Sequence, residues 1–305
     1  MTPDPRIDHP VYTLDNREVL PAGGRLRECT DRLVQDFRGG PIEAYPVLRY
    51  GSVLDDLLDL LTHPPYSVIF GQRNETVELL KFMEKVTIIS PVLESLDYFK
   101  REDFYTYRHI LMVFSLSTLL ALELVGDYGE LVQDAASGPM HDFGKICVPI
   151  DILRKSEPLS RRERGLLEHH ALAGYVLLCY YLGQKSSLSA KVARDHHERR
   201  NESGYPRGIK LKDLMVEIVA ASDIYDALIS PRPYRPTPYE NRTALEEITA
   251  MAERGELGWP VVQVLVACNR EGKPHYKECK ISMEKRGTPP RDNIYGKLKE
   301  EDQGK

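Results

Sequence analysis

Two adjacent histidines directly behind an acid, Asp195-His196-His197-Glu198, constrain this chain more than any other stretch; Gly204-Tyr205-Pro206 begins seven residues after His197. Neighbouring residues on an ideal helix point about 100° apart, so adjacent side chains converge on one ion most easily at a helix end. Leu188-Ser189-Ala190-Lys191-Val192-Ala193 before them reads as helix, and Asn201, Gly204 and Pro206 after them read as its termination and a loop. The bland alternative is a pair of surface histidines at a fraying end. Against it stands a clustering: six of the nine histidines lie between residues 109 and 197. They are His109, His141 beside Asp142, His169-His170 and the double histidine, and Asp223 follows downstream.

A chain of 305 residues has room for a main domain of roughly 170–200 residues and a smaller one. Hydrophobic content of 42% and charged content of 29% describe an ordinary globular protein, and a net charge of −5 argues against a nucleic-acid polymer as partner. Basic residues gather near the histidines (Arg194, Arg199, Arg200, Arg207, Lys210, Lys212, Arg232, Arg235), a rim suited to a phosphorylated substrate or an ordinary solvated face. The five cysteines show no CxxC spacing and no signal peptide is evident, which reads as reduced thiols in a cytoplasm. The longest apolar run, Ile110 to Val125, contains Glu123 and falls short of the roughly 20 residues that a membrane span needs. The expectation is a cytoplasmic protein with no membrane contact.

Val11 to Leu14 and Arg17 to Leu20 flank Asp15-Asn16, predicting a hairpin with a two-residue turn. A helix follows from Leu26 to Phe37. Ser52 reads as the N-cap of a helix from Val53 to Leu61, and Tyr66 to Phe70 as a short strand or a buried connector. Thr76 to Ile88 reads as helix, with Ser90 and Pro91 opening the next. Beyond residue 100 nearly everything reads as helix: Phe104 to Val125, Leu131 to His141, one capped by Ser160, the double-histidine helix, Leu214 to Ile229, Arg242 to Arg254 and Pro260 to Cys268. The expected organisation is mainly α: a small mixed α/β N-terminal domain over 1–95, an all-helical catalytic domain over 96–275 and a charged tail over 276–305.

Imidazoles and carboxylates without thiols suit iron, manganese, zinc or nickel rather than calcium or magnesium alone. Seven such groups exceed what one ion takes while keeping a position open. Two ions roughly 3.5–4 Å apart and bridged by a carboxylate share them naturally, and that chemistry is phosphoester hydrolysis. Lys145, one turn after the His-Asp pair, would meet a phosphate oxygen as a point charge.

His141-Asp142-Phe143-Gly144-Lys145 matches an HDxGK motif. Together with His196-His197-Glu198, Ser203-Gly204-Tyr205-Pro206-Arg207-Gly208, Asp223-Ile224-Tyr225-Asp226-Ala227-Leu228 and Arg232-Pro233-Tyr234-Arg235, it resembles the HD-GYP branch of the HD phosphohydrolases, from about Tyr105 to about Cys268. The resemblance implies an all-helical domain hydrolysing cyclic di-GMP to the linear dinucleotide pGpG or onward to GMP, with a metal-activated hydroxide at a binuclear site. It implies one ion on His109, His141, Asp142 and Asp223, and a second on His170, His196 and His197 with Asp142 bridging. Asp142 and Lys145 would be catalytic; Lys145, Tyr205, Arg232 and Arg235 would bind substrate. The ions implied are iron or manganese, with zinc or nickel as alternatives. His169 falls outside the pattern and is expected on the surface; Asp226 is expected to act behind the ligands.

The sequence departs from the family pattern at Tyr105, where some members carry a glutamate associated with a third metal. Arg200-Asn201-Glu202 replaces a common Trp-Asp-Gly, and Ile229 and Pro231 replace more usual polar residues. Two other readings compete. One is an interaction module that senses cyclic di-GMP or docks a GGDEF-type partner through the altered loop or the N-terminal domain; the other is a hydrolase of a different nucleotide.

Overall fold

The computed structural model describes residues 3–40, 42–71, 73–291, 293 and 297–299. In chain order the elements are β1 (Val11–Tyr12), β2 (Glu18–Leu20), α1 (Leu26–Gln35), β3 (Ala44–Pro46), α2 (Val53–Thr62), α3 (Ser67–Phe70), α4 (Arg73–Met83), β4 (Thr87–Ile89) and α5 (Ser90–Glu102). Then come α6 (Phe104–Leu124), α7 (Tyr128–Ala135), α8 (Ser137–Met140), α9 (Ile150–Leu153), α10 (Arg161–Glu168), α11 (His170–Leu182), α12 (Leu188–Asp195), α13 (Leu214–Ile229), α14 (Asn241–Glu253) and α15 (Trp259–Cys268). The chain is mainly α, and its small mixed N-terminal part carries two antiparallel strand pairs, β1 with β2 and β3 with β4.

Helix α6 is the axis. Its residues are apolar nearly all round, so it belongs inside the bundle rather than on its surface. At 21 residues it is long and apolar enough to cross a membrane by composition alone, yet 78% of that window is buried within the protein. Its internal hydroxyls are satisfied along the helix: Ser115 donates to the Leu111 carbonyl at 3.0 Å and Thr118 to that of Phe114 at 2.7 Å. Helices α8 and α13 pack directly on α6, and α11 and α12 close the far side. Side-chain caps fix the helix starts that matter. Ser160 and Glu163 form a capping box on α10, Ser187 caps α12 and Asp213 caps α13.

Several local expectations change. The hairpin forms, but Thr13 and Arg17 close a three-residue loop, with Asn16 at φ 62° supplying the left-handed residue such loops require. Ser52 stands at the N-cap of α2 without capping it, because its hydroxyl turns to the Asp56 carboxylate at 2.9 Å. Tyr66 to Phe70 is a helical turn rather than a strand, with Tyr66, Ile69 and Phe70 buried and Val68 exposed. The helix expected to reach Ile88 stops at Met83, and Thr87–Ile89 pairs with Ala44–Pro46 instead. The helix expected over Leu131 to His141 divides into α7 and α8 at Ala136, shortly before Pro139, whose nitrogen has no proton to donate.

The boundary expected near residue 95 falls inside α5, and one apolar cluster runs from Ile7 to Cys279 across it. The stretch expected as a charged tail lies partly outside the described residues. Where described it is strapped to the body: Gly287 donates its backbone N–H to Glu246 at 2.8 Å, and Lys299 donates to the Leu159 carbonyl at 2.9 Å.

Candidate metal centre

The histidines of the cluster arrive from four separate elements. His109 comes from the buried face of α6, His141 follows α8, His170 opens α11, and His196 and His197 follow α12. The turn carrying His141-Asp142 is pressed against α11 at Gly144. A Cβ there would lie 1.9 Å from the His170 carbonyl oxygen and 2.4 Å from the Gly174 nitrogen, so only glycine lets the two meet.

The carboxylate of Asp142, 1% exposed, joins the cluster together. Its Oδ2 lies 3.2 Å from His141 Nε2, 3.6 Å from His109 Nε2 and 2.5 Å from Lys145 Nζ. Its Oδ1 lies 3.4 Å from His170 Nε2 and 3.9 Å from His196 Nε2. Asp223 Oδ1 is 2.9 Å from His109 Nε2 and its Oδ2 is 3.9 Å from His197 Nδ1. Three overlapping groups have ligand atoms within 4.8 Å of one another: His170, His196 and His197; His109, His141 and Asp223; and His141, Asp142 and His196.

Hydrogen bonds behind the rings decide which nitrogens face inward. Nδ1 of His141 donates to the Gly138 carbonyl at 2.7 Å, that of His170 to Leu167 at 2.6 Å and that of His196 to Ala193 at 3.0 Å. His109 Nδ1 donates to Asp226 Oδ2 at 2.6 Å. A neutral ring whose proton sits on Nδ1 presents a bare lone pair at Nε2. Nε2 of His170 therefore faces Nε2 of His196 at 3.3 Å with no proton between them, and His197 Nε2 lies 3.1 Å from the same atom. His141 Nε2 is buried without a hydrogen-bond partner among the described residues. Converging lone pairs with no hydrogen to share suit a divalent cation, so the residues present fit one.

The electrostatics agree. Burial, then His141 and His170, pushes His196 down to about 3, and burial with His196 drives His197 lower than usual, so both rings stay neutral and available as ligands. Burial opposes charge on Asp142, yet His141, Lys145 and His170 hold its carboxyl well below the usual range. Burial also opposes charge on Asp223, and His109 outweighs it in the same way. Burial disfavours a proton on His141, but Asp142 more than offsets it and raises this ring. That is the response of a lone pair aimed at negative charge, where a cation fits.

The loop after His197 folds back over it. The Tyr205 ring stacks on the His197 ring at 4.4 Å and 18°. Gly204 is needed here for space rather than for backbone freedom: a Cβ would lie 2.3 Å from the His197 oxygen. Glu198, 0% exposed, holds the loop by accepting from Arg207 N at 2.7 Å and Ile209 N at 3.0 Å. Glu202 sits at φ 67°, the left-handed conformation that a glycine adopts without strain.

The expected basic rim is largely turned inward. Arg194 and Arg207 both bind Asp195, with Nη2 contacts of 2.9 and 2.6 Å, and Arg200 reaches Glu217 at 3.4 Å. Arg232 donates to Asp226 Oδ2 at 3.2 Å, and Arg235 donates to carbonyls ending α13, among them Leu228 at 3.1 Å. Both are nearly covered, at 7% and 2% exposed. His169, expected at the surface, is instead buried edge-on against His9 at 5.3 Å. Burial, then His9 and His170, pushes it down to about 4. Tyr105, at the third-metal position, is 40% exposed. Sequence reasoning gave no role to Glu198, Ser230 or Tyr66. A buried glutamate directly after two candidate ligands was the one signal available in advance.

A family model described as HD domain matches residues 116–258. The chain is 33% identical over 281 residues to a cyclic di-GMP phosphodiesterase of Thermotoga maritima, covering 86% of this chain and 71% of that protein. It is 38% identical over 165 residues to a cyclic di-GMP phosphodiesterase of Pseudomonas aeruginosa, covering 53% of this chain and 38% of that one. A 3′3′-cGAMP-specific phosphodiesterase of Vibrio cholerae is 35% identical over 133 residues, with 43% of this chain and 30% of that protein covered.

Proposed function

This chain belongs to the HD-GYP family of HD-domain phosphodiesterases, and from that premise we propose that it hydrolyses cyclic di-GMP at a binuclear centre. One ion would be held by His109, His141 and Asp223 and the other by His170, His196 and His197, with Asp142 shared between them. The observation that supports this most is the convergence of protonless imidazole nitrogens around one buried carboxylate. Iron or manganese suits this donor set, with zinc or nickel as alternatives. Such ions lower the pKa of water and clamp a phosphate.

The chain's own groups do the rest. Lys145 neutralises charge beside Asp142 and is placed to meet a phosphate oxygen. Tyr205 borders the site above His197. Water's oxygen bonds to phosphorus as one bond to a ribose 3′ oxygen breaks, giving the linear dinucleotide pGpG; repetition gives GMP. Arg232 and Arg235 serve as supports behind the site, in place of the phosphate contacts expected of them.

The test is anaerobic purification, metal analysis and chromatography of incubations with cyclic di-GMP. Two ions per chain and a linear product are expected; a metal-loaded protein that leaves cyclic di-GMP intact overturns the reading. Relatives named as 3′3′-cGAMP-specific favour that dinucleotide as a second substrate candidate, and the same incubation with it decides. A GGDEF-type partner docked on the exposed stretch Asn201-Glu202-Ser203 is the non-catalytic reading, and turnover by the isolated chain removes it.

A further inference from the structure

Tyr66, just ahead of α3, is among the largest fully buried side chains, at 1% exposed. A buried phenol hydroxyl is costly unless it is paired. Its Oη donates to Asp226 Oδ1 and lies 2.6 Å from Ser230 Oγ, which itself reaches Asp226 Oδ1 at 3.0 Å. The other carboxylate oxygen takes His109 Nδ1 at 2.6 Å and Arg232 Nη2 at 3.2 Å. A carboxylate offers about four lone-pair sites, and four groups here fill them. With every site taken and no solvent contact, Asp226 cannot turn without breaking a bond, and neither can the imidazole it holds.

The segment bearing Tyr66 is itself pinned to the helical body. Asn241 Nδ2 donates to the Pro65 carbonyl at 3.0 Å and Lys273 Nζ to that of Ile69 at 2.6 Å. We infer that Tyr66 is a positioning residue for the metal centre. Through Asp226 it fixes the His109 ring, so a segment 160 residues away in sequence from Asp226 sets how firmly one of the two ions is held. The inference rests on the metal-centre reading above and is independent of which nucleotide is cleaved.

Tyr66→Phe keeps the ring in place and removes only the hydroxyl. Wild type, Tyr66→Phe, Ser230→Ala and the exposed control Tyr45→Phe are loaded with Mn2+ and stripped by graded chelator, with bound metal counted throughout. Tyr66→Phe should release one of its two ions at about ten-fold lower chelator, as expected for loss of a group behind a ligand, while the other ion is released as in wild type. Ser230→Ala should shift the same ion by less, and Tyr45→Phe neither. At limiting Mn2+, kcat should fall with KM unchanged, and excess Mn2+ should restore it. Both ions held as in wild type, even with a lowered melting temperature of the metal-free protein, would mean that Tyr66 only packs. Should Tyr66→Phe fail to fold, Ser230→Ala decides by the same readout. A wild-type protein that binds no Mn2+ sinks the metal centre itself, whereas one that binds two ions without cleaving a cyclic dinucleotide sinks only the substrate.

Discussion

The two His/Asp groups on either side of Asp142 are built differently. His109, His141 and Asp223 include a carboxylate, and His109 is braced from behind by a second one, Asp226. His170, His196 and His197 are all imidazole; the first two are braced by main-chain carbonyls, and His197 is covered by the Tyr205 ring. A divalent ion gains more from a charged donor than from a neutral one. On the binuclear proposal, the inner group of His109, His141 and Asp223 is therefore expected to be the tighter position, and the outer group of His170, His196 and His197, beside the loop, the weaker one.

The largest effect should come from removing what the two groups share. Asp142→Ala is expected to empty both positions and to lower turnover about a thousand-fold or more, since several kcal/mol of charge stabilisation goes with the ions. Metal analysis alongside the assay checks this; a variant retaining either ion would break the symmetry claimed for Asp142. The next test sharpens the contrast. His197→Ala should lose only the outer ion and His109→Ala only the inner one, with the inner ion surviving longer against chelator in wild type. Release in the reverse order would overturn the ranking.

A smaller effect is expected at the loop. Tyr205→Phe should keep both ions and slow hydrolysis by about two-fold to a hundred-fold, the range for one hydrogen bond to a neutral or charged group. An unchanged rate in Tyr205→Ala with metals retained would remove this ring from the site.

Much of this was legible in the residues because the motifs carry the chemistry locally. Candidate ligands follow from the clustering of histidines and from the motifs that carry the family resemblance, and helices such as Leu214–Ile229 follow from their apolar period. The misreadings share a cause, which is tertiary packing. His169 has nothing in its neighbours to announce that His9 will cover it, and it is buried where a surface ring was expected. The contacts that Arg232 and Arg235 make with Asp226 and the end of α13 are likewise invisible in the string. Tyr66 lies so far from the motif in sequence that no spacing rule reaches it.

The burial of His169 makes a prediction about pH. Its pKa falls from an ordinary 6.5 to about 4 in the folded chain. Above about pH 6.5 the ring is neutral in both folded and unfolded states. As the pH drops toward 4 the unfolded chain takes up a proton that the folded one refuses, so stability declines through that window, by about 2 kcal/mol at pH 5. Melting of metal-free protein should show the decline, and His169→Phe should make it shallower, the remainder belonging to His196 and His197; an equal slope in the variant would assign the whole decline to other groups. The mildest effect is expected at Glu202. Glu202→Gly should stabilise the chain by about 1 kcal/mol by relieving a left-handed backbone, measured as a raised denaturation midpoint. A lowered midpoint would show that the glutamate side chain contributes more than its backbone costs.

One buried side chain, Glu198, grips the main chain at Arg207 and Ile209, so at those two points the loop is fixed through amide protons. In the stretch between Glu198 and Arg207, Arg200 and Asn201 add fastenings of their own, to Glu217 and to the Arg254 carbonyl, so the loop is held both through its main chain and through these two side chains.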